Sequence, residues 1–143
     1  MKKPILILVV FLLLVGCVAR ESSAIDLGND YTLATTAGSE RWAIWGKIFE
    51  GQLGRSLIIW NKVSRIGVNK QYIIGLRERG LHPMHEEDGI KNPQPYGYFI
   101  IDKYTSEKTL GLTEEEAKKT FTSLNISMHL LKKVSRSYSW KKQ

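Results

Sequence analysis

Tyr96-Gly-Tyr-Phe-Ile-Ile-Asp-Lys-Tyr104, then Lys108-Thr-Leu110, then Thr113-Glu-Glu-Glu116 decides the fold class. The first run is dense in aromatic and β-branched residues and reads as the clearest strand of the chain. A polar turn follows, and Lys108–Leu110 reads as a brief return strand. At Thr113 the period changes. Thr113 fits an N-cap and Glu116 the third helical position of a capping box. Acids in the first turn suit the positive end of the helix dipole. Ala117, Phe121 and Leu124 recur at helical spacing, so a helix is expected over about 114–124.

Upstream, the same strand signature repeats. Tyr31–Thr36, Arg41–Ile48, Ser56–Trp60, Val63–Val68 and Gln71–Leu76 are apolar or β-branched runs separated by Gly, Asn and Ser. Such spacing predicts a small antiparallel meander, barrel- or sandwich-like. The expected class is therefore mainly β with one C-terminal α-helix, in α+β terms, as a single domain over 30–143. The segment Ile126–Val134 suits either a helical extension or a last strand.

The N-terminus carries an address. Lys2 and Lys3 precede an uncharged apolar run from Pro4 to Val15, and Leu14-Val-Gly-Cys17 follows. A basic start, a short apolar stretch and a small residue before a cleavage point describe a secretory signal peptide. The run is short for a helix that must cross about 30 Å of hydrocarbon. Leu14-Val-Gly-Cys17 resembles the lipobox of bacterial lipoproteins. That resemblance implies cleavage after Gly16, removal of residues 1–16, and acylation of Cys17, whose thiolate is the nucleophile. Each buried CH₂ contributes ~0.8 kcal/mol, so three acyl chains anchor effectively for good. Alternatives are an ordinary cleaved signal or an uncleaved anchor helix. Val18 occupies the position where an Asp commonly retains Gram-negative lipoproteins in the inner membrane. The resemblance therefore implies the outer membrane in a host with two membranes, and the outer face of the cell membrane otherwise. Residues 17–29 read as the lipidated cysteine and a tether. Cys17 is the only cysteine, so an intrachain disulfide is excluded.

The net charge is +7, from 21 basic and 14 acidic residues. Loss of Lys2 and Lys3 with the signal lowers it to about +5. A mild, scattered positive charge suits anionic head groups or an acidic partner, and does not suggest nucleic acid. Phosphate-cradling and Gly-x-Ser-x-Gly motifs are missing.

The body of the chain has a second resemblance. Leu57-Ile-Ile-Trp60, Val63, Ile66, Tyr72-Ile-Ile-Gly75, Tyr98-Phe-Ile-Ile-Asp102 and Leu110-Gly-Leu-Thr-Glu-Glu115 look like a group of small uncharacterised bacterial lipoproteins. Those proteins pair a tethered β-rich domain with a C-terminal helix. The likeness spans roughly 30–125 and rests on core and turn positions, so it implies a fold and no catalytic residues.

Three sets of side chains are candidates for contact. His82-Pro-Met-His85-Glu86-Glu87-Asp88 brings two imidazoles and three carboxylates together in a loop running to Pro95. It reads as a solvated contact loop. The alternative is a weak metal site on His82 and His85. Trp42 and Trp45 lie three apart, so a strand would turn one inward and the other, Trp45, outward. Lys132, Lys133, Arg136 and Trp140 form a basic-aromatic tail suited to a membrane or an acidic partner. The expectation is a non-enzymatic envelope lipoprotein that binds a protein partner, with immunity or exclusion among its roles. No cofactor is expected beyond the lipid. The alternative is a metal-binding or metal-dependent envelope enzyme.

Overall fold

The computed structural model describes residues 24–35, 41–46, 56–60, 62–79 and 91–135. Two antiparallel sheets form from two successive meanders. The first comprises β1 (Ala24–Gly28), β2 (Tyr31–Thr35), β3 (Trp42–Gly46) and β4 (Ser56–Ile59), paired in that order. The second comprises β5 (Val63–Val68), β6 (Tyr72–Arg77), β7 (Gly97–Asp102) and β8 (Lys108–Leu112), with the short β9 (Lys132–Lys133) added beside β5. The architecture is a sandwich, mainly β within α+β, and the single helix α1 (Glu114–Ser123) packs on the outer face of the second sheet.

Alternation explains the layers. Leu33, Trp42, Ile44 and Ile59 from the first sheet meet Ile66, Ile73, Phe99 and Ile101 from the second in one buried cluster. On β6 and β7 the intervening residues Ile74 and Ile100 face the other way. They pack with Ala117 and Phe121 of α1 and with Ile126. The second sheet is thus apolar on both faces, and its strands read as near-continuous hydrophobic runs for that reason. A bulge in the β3–β4 pairing, where Ile44 faces Ile59 and Trp45 faces Leu57, lets both Ile59 and Ile58 approach the core.

The helix begins and ends on local chemistry. The Thr113 hydroxyl accepts from the Glu116 N–H at 3.3 Å, and the Glu116 carboxylate accepts from the Thr113 N–H at 2.8 Å. The Glu116 carboxyl is held below its ordinary range, first by that backbone N–H and then by the Thr113 hydroxyl. At the other end Ile126 N–H donates to the Phe121 carbonyl at 2.7 Å and Asn125 N–H to Thr122 at 3.0 Å. Asn125 sits at φ 55°. This is a Schellman stop with Asn in the left-handed position. The helix ends within a residue of the expected limit: Leu124 is the C-cap and is exposed, and the apolar stripe passes from Phe121 to Ile126. Thr113→Ala should cost about 1 kcal/mol in chemical unfolding; an unchanged midpoint would mean that the Glu116 side chain caps the helix alone.

Two further boundaries differ from expectation. Residues 24–28, read above as the end of a tether over 17–29, form β1 and pair with β2. Asn29 and Asp30, at φ 51° and 67°, make the two-residue turn that closes this hairpin, the conformation a right-twisted pair requires. Ile126–Val134 is neither helix extension nor full strand. Met128–Leu130 is a 3-10 turn, and only Lys132–Lys133 pair with β5.

Candidate functional site

An open cleft of about 670 Å³ lies at one end of the sandwich, where the β1–β2 and β7–β8 turns meet the ends of β3 and β4. Its volume is in the range of small-molecule sites. Lys103, Tyr104, Ser106 and Lys108 come from the β7–β8 side, Asn29, Asp30 and Tyr31 from the β1–β2 side, and Ser56–Ile58 from β4.

Asp102 shapes the first group. One carboxylate oxygen accepts from the N–H groups of Tyr104 at 2.8 Å and Thr105 at 3.1 Å. The other accepts from Gln71 Nε2 at 2.8 Å. These donors, Gln71 first, hold the Asp102 carboxyl below the usual carboxylate range, because each favours the charged form. The turn is thereby fixed, and Lys103 and Tyr104 are presented side by side.

The two turns are then tied together. Lys103 Nζ donates to the Leu27 carbonyl at 3.3 Å, Asn29 Nδ2 donates to the Lys103 carbonyl at 3.4 Å, and the Tyr31 hydroxyl donates to Ser106 Oγ at 3.3 Å. Burial pulls the Lys103 ammonium below the ordinary lysine range, and the Asp26 charge opposes the shift. An ammonium has three donors, and the Leu27 carbonyl takes one. Lys108 and Tyr104 are exposed, Tyr104 at 60%. The arrangement offers positive charge, hydroxyls and an aromatic face in one concavity.

A second cluster closes the opposite end of the sandwich. Arg77, only 2% exposed, lies with its guanidinium 4.4 Å from the Tyr96 ring centre and 5.8 Å from that of Trp60. It donates to the Gln94 carbonyl. The Gln94 side chain in turn accepts from Trp60 N–H at 2.8 Å and donates to the Ile58 carbonyl at 3.0 Å. One glutamine thus joins the edge of β4 to the second sheet.

None of the residues expected from sequence to make contacts is among the described residues that line the cleft. Gly16, Cys17, His82, His85, Glu86, Glu87, Arg136 and Trp140 lie outside the described residues. Among the described residues no group of three or more His, Cys, Asp or Glu side chains is placed to hold a metal ion. Trp42 is buried in the core, whereas Trp45 is half-buried and faces Leu57 across the strands. Lys132 and Lys133 are not part of a free tail: they are exposed on β9, with Lys133 opposite Arg65, and the next residue, Val134, is buried in the core.

The cleft was not read from the sequence, and one signal for it was present. Ala24-Ile-Asp-Leu27 alternates and is followed by Gly28-Asn-Asp30, a strand and a hairpin turn. The pairing of Lys103 with Leu27 had no local signal. No curated protein and no solved structure matches the chain. A family model covers residues 28–135, from the turn that lines the cleft to the end of the described domain, and the chain therefore belongs to DUF3997, a family of proteins of unknown function.

Proposed function

We propose that the chain is an exported lipoprotein, anchored through Cys17, whose sandwich domain acts as a non-enzymatic binding module in the cell envelope. The observation that carries this reading is the position of the cleft relative to the start of the domain. The chain enters β1 at Ala24, which pairs with Ala34. The cleft lies at the far end of that hairpin, around Asn29–Tyr31. Six residues lie between Cys17 and Ala24, and the seven chain steps reach at most roughly 25 Å. An anchor there keeps the domain at the membrane, and β1 then carries the cleft roughly 14 Å further along the strand. Such a geometry suits a module that presents its site away from the lipid and meets an envelope partner there, as immunity or exclusion proteins do.

Cys17→Ser tests the anchor. The expected result is loss of the protein from the membrane fraction, either as released domain or as unprocessed precursor separable by mass. Mature protein of normal mass that stays in the membrane fraction would overturn the lipid anchor.

A further inference from the structure

The cleft between the β1–β2 and β7–β8 turns has a lining that selects a ligand class. Two lysines, Lys103 and Lys108, stand against one carboxylate, Asp30. Lys103 is partly buried and already oriented by the Leu27 carbonyl, so little freedom is lost when its remaining donors meet an anion. Ser56 and Ser106 contribute hydroxyls, and Ser106 is held by Tyr31. Tyr104 presents an exposed ring at the same site, and the Asp102-centred turn fixes its backbone. Leu57, 39% exposed, and Ile58 supply an apolar patch on the β4 wall.

Each element speaks to a different part of a ligand. A partly desolvated ammonium beside a second one favours a carboxylate or phosphate, since charge-assisted hydrogen bonds are roughly twice as strong as neutral ones. Serine hydroxyls both donate and accept, and so match polyhydroxylated groups. An exposed aromatic ring at the cleft can stack on the C–H face of a sugar, an amphipathic surface like its own. A free inorganic anion would use only the lysines. An apolar ligand would make no use of the Lys103 and Lys108 charges.

We infer that this cleft binds an anionic sugar unit, a pyranose bearing a carboxylate or phosphate, with Lys103 and Lys108 on the acid group and Tyr104 on the ring. The cleft serves here as the binding site proposed above, but its ligand does not depend on the lipid. Failure of the anchor and failure of ligand binding are therefore read by separate assays.

The test is calorimetric titration of the full-length protein in detergent micelles with four probes: glucuronic acid, glucose 6-phosphate, glucose and inorganic phosphate. One or both charged sugars should bind saturably, which also tells carboxylate from phosphate, and more weakly as salt rises. Glucose should not bind measurably. Lys108→Glu, on an exposed side chain, and Lys103→Met should each weaken the charged sugars about tenfold or more, as loss of a charged hydrogen bond does. Tyr104→Ala should weaken the sugars and leave inorganic phosphate unchanged. Unchanged circular dichroism and unfolding midpoint of Lys108→Glu show that the effect is not misfolding. Failure of both charged sugars to bind overturns the inference. So does glucose binding as tightly as either charged sugar, or binding that survives Lys108→Glu in a folded protein. Phosphate binding as tightly as glucose 6-phosphate, with Tyr104→Ala silent, overturns it in favour of a simple anion site.

Discussion

Replacing Arg77 with alanine is expected to destabilise the domain by about 4 kcal/mol, the largest effect of any single change considered. Arg77 follows Ile73 and Gly75 on the face of β6 that looks into the sandwich, and it closes the inter-sheet layer at the end where Gln94 bonds to Trp60 and Ile58. Truncation removes a large buried side chain, which by itself costs roughly 2–5 kcal/mol as a cavity. It also removes the stacked guanidinium from the Tyr96 and Trp60 rings, at up to ~2 kcal/mol for a desolvated cation. The Gln94 carbonyl loses its donor, and Gln94 is the residue that holds Trp60 and Ile58 of the other sheet. Denaturant unfolding measures the loss. Arg77→Lys separates charge from shape, because it keeps the charge and loses the planar stack; it should fall between wild type and alanine. Arg77→Met, matching volume without charge, tests the guanidinium directly. Full stability in that variant would show that only volume matters at this position.

Gly75→Ala is expected to cost about 3 kcal/mol, at the upper end for one added methyl group. Gly75 pairs directly with Phe99 across the β6–β7 ladder, and the ring lies over the glycine. A Cβ there would stand 2.2 Å from Phe99 Cζ, 2.7 Å from Cε1 and 2.8 Å from the Arg65 carbonyl oxygen. Phe99 is fully buried between the sheets and has no open space to swing into. The Arg65 carbonyl is backbone of the neighbouring strand β5. A drop of roughly 10 °C in melting temperature corresponds to this cost for a domain of this size. The double change Gly75→Ala, Phe99→Leu should be less destabilised than the two single effects added, since the clash disappears with the ring. A loss under about 1 kcal/mol for Gly75→Ala would mean that the ring relocates and that the pair does not lock the register.

These two positions mark where reading along the chain stops. Tyr72-Ile-Ile-Gly-Leu-Arg77 is legible as a strand, because β-branched density is a local property. Nothing local says that its arginine is the buried end of the core or that its glycine exists to receive a phenylalanine more than twenty residues later. In the same way Thr113 and Glu116 announce the start of α1, since a capping box is closed within four residues. What stops it after Leu124 is Asn125 adopting φ 55°, a Schellman conformation that helical spacing does not report. Ala24–Gly28 reads as tether along the chain because a five-residue strand has no stability of its own. It becomes a strand only by hydrogen bonding to β2, and the register of Ile25 with Leu33 turns its apolar residues inward.

The sequence by itself determined the strand-rich body, the single capped helix and the lack of an intrachain disulfide, because each rests on periodicity, spacing or composition over a few residues. Tertiary structure alone decided that the strands divide into two stacked sheets, that Arg77 is buried between aromatic rings, and that a cleft exists at all. The reason is distance along the chain. The contacts that build the cleft join Leu27 to Lys103 and Tyr31 to Ser106, separations of 76 and 75 residues. Only packing the first sheet on the second brings those turns together.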